Sequence, residues 1–255
     1  TWESEDQRNT IEAEALFLRG YFYFDMARLF GTVPLVTEPS PQNNPKASPE
    51  ELFGQIGSDL KDAIALFPDT KYQSISVKRL GHANKWAAEA LIARVYLFYT
   101  GYYQKDALPA RVDGEVSGSI SKQEVIAWVD DCIANSGHDL IPDFRNLWPY
   151  SFSQDYAYTK ENKLNWIDET GLNVETVFAI KHSPTTWDGR NLLNLFFGLR
   201  YQDEGAGYIN TFPFGQGWGI GSVNPKTFID WPNADIRKKA SILNINDETE
   251  NIQYT

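Results

Sequence analysis

The chain has 255 residues, of which 42% are hydrophobic and 14% aromatic, and its 23 basic and 34 acidic residues give a formal net charge of −11. That apolar content is enough for a buried core and excludes a wholly disordered chain. The acidic balance makes nucleic acid and anionic lipid poor partners, and the single cysteine, Cys132, excludes an internal disulfide framework.

The first predicted element is a long α-helix from about Glu5 to Phe30. Gly31 follows it and is a typical residue for a C-terminal cap. Apolar residues recur within it at intervals of three and four, which predicts that one face of the helix is buried. The residues assigned to that buried face are Ile11, Ala15, Leu18, Phe22, Met26 and Leu29.

A second helix is predicted to begin after Ser48. Pro49 then occupies the first helical position, and Glu51 completes a capping box with Ser48. Because proline cannot continue a helix, Pro68 is expected to end this one after Phe67.

A third helix is predicted between Ala83 and Thr100, with Gly101 as its end. It is rich in alanine, which gives a small-residue surface that a neighbouring helix can approach closely, and Trp86 is interpreted as a packing residue.

A fourth helix is predicted from Ser121, again with a capping box, to Gly137. Helix pairs of this size resemble tetratricopeptide (TPR) hairpins, although no period of about 34 residues repeats. Residues 1–140 are therefore predicted to form a TPR-like helical scaffold.

The character of the chain changes after about Ile141, where Pro, Gly, Asn and Asp interrupt every pattern. We expect loops, short helices and a minor sheet here, with one short strand over Val174 to Lys181. The predicted fold class is mainly α, with a TPR-like helix-pair scaffold and an irregular, loop-rich half that carries short strands. Residues 141–255 form that loop-rich region within one structural domain.

The histidines and the glycine-rich segment do not indicate a metal or nucleotide site. His82, His138 and His182 are the only histidines, and none has the spacing of a metal-binding pair. The segment from Gly215 to Gly221 lacks the spacing and the terminal Lys of a phosphate-binding loop. We therefore predict no metal and no cofactor.

Catalysis by paired carboxylates is an alternative that the residues leave open. Glycoside hydrolysis needs two carboxylates at a set separation, which a sequence does not fix. The acidic residues that could supply such a pair are Asp139, Asp143, Asp155, Asp168 and Glu169.

Aromatic residues in the irregular segments are typical of a sugar-binding site. A ring can cover the C–H face of a pyranose while neighbouring polar side chains reach its hydroxyls. We assign stacking to Trp187 and Tyr208 and hydrogen bonding to Arg190 and Asn210. Trp218 is a weaker candidate. The alternative is that these rings pack beneath the loops.

Four blocks, in order along the chain, resemble the SusD/RagB family. They are residues 13–36 (AEALFLRGYFYFDMARLFGTVPLV), residues 85–97 (KWAAEALIARVYL), residues 173–180 (NVETVFAI) and the stretch from Gly217 to Arg237. The periodic apolar residues and helix ends in these blocks determine the fold, so we expect ligand choice to lie in the unmatched loops.

The resemblance implies a non-catalytic protein that binds oligosaccharides on the external face of a Bacteroidetes-type outer membrane. It implies a SusC-like TonB-dependent transporter as partner, with the binding protein capturing glycan above it. Family members are usually longer and carry a lipidated cysteine near the start. We therefore expect this chain to be a middle portion, anchored through a lipid on a segment before it. A TPR-type peptide-binding scaffold is a further alternative.

Overall fold

The computed structural model describes residues 2–39, 41–148, 151, 157–167, 173–182, 196, 199–200, 216–242 and 244. The chain divides into two compact units. The first contains residues 1–140 and 174–179, and the second contains residues 141–173 and 180–255. The domain assignment made from the sequence stays a prediction.

Four long helices build the first unit. They are α1 (Glu5–Phe30), α2 (Pro49–Leu66), α3 (Lys85–Tyr103) and α4 (Lys122–Asn135). Each helix packs against the next one along the chain. This succession of packed neighbours is the arrangement that the predicted helix-pair scaffold requires.

The predicted helix starts at α2 and α4 are confirmed by their caps. The Ser48 hydroxyl accepts from the Glu51 amide, and the Glu51 carboxylate accepts from the Ser48 amide. Ser121 and Glu124 form the same reciprocal pair at α4. The bonds from Ser48 lower the pKa of Glu51 below its ordinary value, which stabilises the ionised form beside the helix N-terminus.

The prediction of which face of α1 is buried, made from the apolar periodicity, is wrong. The buried residues are Ala13, Phe17, Gly20, Tyr23, Phe24 and Ala27. On the selected face, Phe22 is 56% exposed and Leu29 is 74% exposed. Both faces of α1 are rich in apolar residues, so periodicity alone does not choose between them.

Close helix packing decides which face of α1 is buried. Gly20 lets α2 approach, since a Cβ atom at that position would lie 3.2 Å from the Leu60 side chain. Phe178, from the segment 174–179, packs edge-to-face on Phe17 with 5.0 Å between ring centroids. The buried face is therefore the one that combines a glycine with large aromatic neighbours.

A buried ion pair joins α1 to α2. The Arg19 guanidinium donates to both carboxylate oxygens of Asp59, over 2.7 and 2.6 Å, and Gln55 donates to the same carboxylate over 2.7 Å. Asp59 is 1% exposed, so its charge depends on these donors.

The core of the first unit contains large side chains from all four helices and the hairpin described below. Trp86 is buried as predicted, and its indole N–H donates to the Thr70 carbonyl over 2.8 Å. Among the alanines of α3, Ala87 and Ala88 are buried, and Ala90 is only half-buried. The fully buried alanines of α3 are therefore those near its start.

A β-hairpin between α3 and α4 was not predicted. Strands β1 (Leu108–Val112) and β2 (Glu115–Ile120) pair antiparallel, with Leu108 opposite Ile120. Asp113 and Gly114 connect them with φ values of 50° and 86°. An Asp-Gly pair with both φ angles positive is a strong hairpin signal, and it was present in the sequence.

The end of α3 and the strand predicted after residue 173 differ from the structure. Helix α3 continues through Gly101 to Tyr103, and Gln104 takes the left-handed cap with φ of 52°. Residues 174–181 form no strand. Instead, the Val174 carbonyl accepts from the Asp139 amide and from His138 Nδ1, at 3.2 and 2.8 Å.

Short elements make up the described part of the second unit. The helices are α5 (Ala157–Asn162), α6 (Pro225–Asp230) and α7 (Arg237–Ser241), and a 3-10 turn spans Phe144–Leu147. Strands β3 (Leu199–Arg200) and β4 (Gln216–Gly217) pair parallel. Short helices and a minor sheet are the features predicted for this half.

Candidate functional site

A cavity of about 360 Å³ lies in the second unit, and we call it the Lys238 pocket. It is formed by the 3-10 turn, α5, α6 and the chain around α7. Its lining combines cationic, aromatic and amide side chains, among them Arg145, Lys238, Lys239, Tyr158, Phe228, Asn162 and Asn233. This mixture supplies hydrogen-bond donors and apolar ring surface to the same small volume.

Arg145 fixes one wall of the pocket. Its guanidinium donates to the Asp143 carboxylate over 2.8 Å and to the Asn162 side-chain oxygen over 2.8 Å. The hydrogen bond to Asp143 raises the pKa of Arg145, and the same contact lowers the pKa of Asp143. The 3-10 turn is thereby tied to the end of α5.

The turn between α6 and α7 fixes the opposite wall. The Asp235 carboxylate accepts from the Trp231 indole N–H over 3.0 Å and from the Arg237 guanidinium over 2.6 Å. These donors, with Arg237 the largest contributor, lower the pKa of Asp235. The turn is therefore closed by charge-assisted hydrogen bonds immediately before Lys238.

Lys238 is 8% exposed and has only neutral partners within the described residues. Its ammonium donates to the Trp231 carbonyl over 2.9 Å and to the Asn233 side-chain oxygen over 2.6 Å. The same group lies 4.1 Å from the centroid of the Phe228 ring. Lys238 is therefore a buried positive charge with no carboxylate against it in the described part of the chain.

A cavity of about 390 Å³ in the first unit has a different electrostatic character. It lies between the start of α1 and the loop that precedes α3. Its Arg79 guanidinium lies 3.7 Å from the Glu14 carboxylate, and His82 Nδ1 lies 2.6 Å from the same carboxylate. The Arg79 charge therefore faces a carboxylate, in contrast to Lys238.

The residues predicted to bind ligand are only partly described by the structure. Trp187, Arg190, Tyr208 and Asn210 lie outside the described residues and stay predictions. Trp218 is 49% exposed, and its ring packs edge-to-face on Phe196 with 5.1 Å between centroids. Trp218 therefore packs against Phe196 and still exposes about half of its surface to solvent.

The pocket residues themselves were missed by the sequence analysis. The available signal was the run Arg237-Lys238-Lys239, three cationic residues in a chain of net charge −11. Sequence alone does not bring Arg145 and Tyr158 to that run, because they are about 80 residues away along the chain.

Two of the five acidic residues considered for glycoside hydrolysis, Asp139 and Asp143, are described by the structure. Asp143 is held by Arg145, and Asp139 is exposed and accepts from the Leu140 amide. The other three candidates, Asp155, Asp168 and Glu169, lie outside the described residues.

Neither metal binding nor a reactive thiol is indicated within the described residues. No group of three His, Cys, Asp or Glu side chains there is placed to hold a metal ion. Cys132 is half-buried, and burial raises the pKa of its thiol, as expected for an inert cysteine. None of the described helices is both long and apolar enough to cross a membrane.

Comparison with known proteins identifies the family that the chain resembles. Residues 1–97 match a SusD-like family described as starch-binding and associating with the outer membrane. A SusD-like protein P2 from Formosa agariphila is 25% identical over 94% of the chain, and a SusD-like protein from Bacteroides ovatus is 27% identical over 58% of it. The chain is therefore similar to SusD-like proteins, through the family model over residues 1–97 and through both relatives.

A solved structure agrees with this resemblance at the level of the fold. A laminarin-binding SusD-like protein superposes on 97% of this chain with a TM-score of 0.67 and 23% identity. The chain covers 48% of that structure. It spans 40% and 25% of the lengths of the Formosa and Bacteroides relatives.

Proposed function

We propose that this SusD-like protein binds oligosaccharides at the external face of the outer membrane, without cleaving them, and delivers them to a SusC-like TonB-dependent transporter. The observation that carries the proposal is the match of residues 1–97 to a starch-binding family that associates with the outer membrane. The laminarin-binding neighbour supports carbohydrate as the ligand class.

The Lys238 pocket supports a sugar ligand on physical grounds. Its volume of about 360 Å³ is in the range of small-molecule sites. Tyr158 and Phe228 offer rings for the C–H face of a pyranose, and Asn162 and Asn233 offer amide groups for its hydroxyls.

The helical unit is the scaffold and the proposed contact surface for the transporter. Membrane attachment is assigned to a lipid anchor on a segment before this chain. Co-purification of the intact protein with a SusC-like transporter from outer-membrane extracts tests this part. A protein that fractionates away from every TonB-dependent transporter contradicts the partnership.

Calorimetric titration of the intact protein against a glycan panel tests the ligand class. We expect saturable binding of at least one oligosaccharide and no new reducing ends after prolonged incubation. New reducing ends would instead identify a glycoside hydrolase. Affinity for extended peptides in the absence of any glycan affinity would identify a TPR-type peptide-binding scaffold.

A further inference from the structure

We propose that the Lys238 pocket selects a sugar residue that carries a carboxylate or sulfate group. This inference rests on the proposed function and specifies the chemical class of its ligand. It begins from a buried ammonium whose partners within the described residues are a carbonyl, an amide oxygen and a ring.

Burying a charge without a counter-ion is unfavourable, because neutral dipoles replace only part of the hydration that the ion loses. Lys238 is in this position, with 8% of its surface exposed. An anionic group in the cavity that Lys238 lines supplies the missing compensation. The Lys238 ammonium alone therefore makes the pocket favourable for an anion.

The other charges of the pocket do not cancel this field. Asp235, the carboxylate of the described lining, is paired with Arg237 at 2.6 Å. Arg145 is paired in the same way with Asp143 at 2.8 Å. Lys238 therefore supplies the positive field of the pocket, in a chain whose net charge is −11.

The overall acidity of the chain does not exclude an anionic ligand. At physiological ionic strength the field of distant surface charges decays over about 8 Å, and contacts inside a partly enclosed pocket are screened much less. Lys238 lines the cavity itself, so its attraction for a bound anion is screened less than the long-range repulsion.

The shape and chemistry of the cavity favour a charged sugar over a free inorganic anion. A volume of about 360 Å³ is large for a single phosphate or sulfate ion. The Phe228 ring offers no hydrogen bond to a bare oxyanion, whereas the Tyr158 and Phe228 rings suit the C–H face of a pyranose. A uronic acid or a sulfated sugar uses the rings, the amides and the cations together.

Matched glycan pairs test the proposal by titration calorimetry. The pairs are oligogalacturonate against its carboxyl-reduced form, and a sulfated galactan oligosaccharide against its desulfated form. We expect the charged member of at least one pair to bind at least tenfold more tightly, with that preference shrinking as NaCl rises from 50 to 500 mM. The pair that shows the preference identifies carboxylate or sulfate as the source.

Variants locate the effect in the pocket. Lys238→Gln keeps a hydrogen-bond donor and removes the charge, so it should abolish the preference while leaving the melting temperature unchanged or raised. Lys239→Gln, at the same cavity, provides a second test if Lys238→Gln does not fold. Lys226→Gln is the matched control, since Lys226 is exposed on α6 and lies outside the pocket lining.

Each contrary result has a distinct meaning. Equal affinity for both members of every pair overturns the charge selectivity and leaves oligosaccharide binding intact. Inorganic sulfate that competes as strongly as the charged glycan overturns the sugar selectivity of the pocket. Failure to bind any glycan overturns the proposed function and this inference with it.

Discussion

The two units of the chain are stabilised by different interactions. In the first unit, helices of 14 to 26 residues begin at side-chain caps and bury large apolar side chains. In the described part of the second unit, helices of five or six residues are held by contacts such as Arg145 with Asp143 and Asp235 with Arg237. Apolar burial dominates the first unit, and polar contacts hold the described elements of the second unit.

This difference indicates which unit provides stability and which unit provides the proposed ligand site. The helical unit buries mainly apolar side chains, and its ion pairs join its own elements, as Arg19 does with Asp59. The polar second unit keeps a cavity with a buried cation. If this comparison holds, changes in the first unit alter stability, and changes in the second unit alter glycan affinity.

The largest expected effect is on the buried ion pair between α1 and α2. Arg19→Ala leaves the Asp59 carboxylate, 1% exposed, with Gln55 as its remaining side-chain donor. We expect a loss of about 3–5 kcal/mol in the free energy of unfolding, with unchanged glycan affinity in the folded protein. Chemical denaturation measures the loss.

A double variant is the control for that prediction. Arg19→Met combined with Asp59→Leu removes both charges, and its stability should lie close to that of the wild type. A double variant as unstable as Arg19→Ala would show that shape, and not an uncompensated charge, causes the loss.

The second prediction concerns close packing of α2 on the hairpin. A Cβ atom at Gly57 would lie 2.7 Å from the Pro109 carbonyl oxygen, so Gly57→Ala must displace backbone. We expect it to destabilise the protein by about 1–3 kcal/mol.

Gly101 is the matched control for Gly57. It is also a helical glycine, and a Cβ atom there meets nothing within 4 Å. Gly101→Ala should therefore stabilise the protein by about 0.5–1 kcal/mol through helix propensity. Thermal melts that move in the same direction for both variants would contradict this account of α2 and α3.

The third prediction concerns the aromatic residues assigned to the loops. Trp187→Ala and Tyr208→Ala should each weaken glycan binding by about 1–3 kcal/mol, because each removes a stacking surface. Their melting temperatures should stay at the wild-type value. Normal binding in both variants excludes these two residues from the site, and a joint loss of stability and affinity favours rings packed beneath the loops.

The fourth prediction is a pH dependence that belongs to the first unit. Glu89 is fully buried, and its carboxylate oxygens have no hydrogen-bond partner within the described residues. Burial raises its pKa from 4.5 to about 8, although Lys85, 3.7 Å away, opposes the shift. The folded state therefore retains a proton that the unfolded state releases.

Stability should consequently fall as pH rises from about 4.5 to 8, because the unfolded state binds fewer protons across that window. Between pH 6.5 and 8 the decrease should be on the order of 1–2 kcal/mol. His138, whose pKa is lowered by burial, acts in the opposite direction and only below its ordinary value of 6.5. Denaturation curves for Glu89→Gln should lack the decrease, and a variant with the wild-type slope would contradict the assignment.

Local signals in the sequence were sufficient for most of the helical unit. Capping residues act within three positions, so Ser48 with Glu51 and Ser121 with Glu124 identified the starts of α2 and α4. The buried face of α1 was not predictable in this way, because apolar residues cover both faces and contacts with α2 and Phe178 decide between them. The hairpin turn at Asp113-Gly114 was predictable and was missed.

The Lys238 pocket was beyond prediction from the sequence for a physical reason. Its walls come from residues 145–162 and 228–244, and no local rule links segments that far apart along the chain. What the sequence did indicate was the region, since aromatic and polar residues crowd the loops after Ile141. Short elements that are held by polar side chains have no periodic apolar pattern, so their packing cannot be predicted from the sequence.

The most direct test of the central claim compares two aromatic residues, one in each unit. Tyr158 lines the Lys238 pocket, and Phe22 is an exposed ring on α1. Titration with the best-binding glycan should show at least a tenfold loss of affinity for Tyr158→Ala and wild-type affinity and melting temperature for Phe22→Ser. Wild-type affinity for Tyr158→Ala together with a loss for Phe22→Ser would place the ligand on the helical unit and contradict the account.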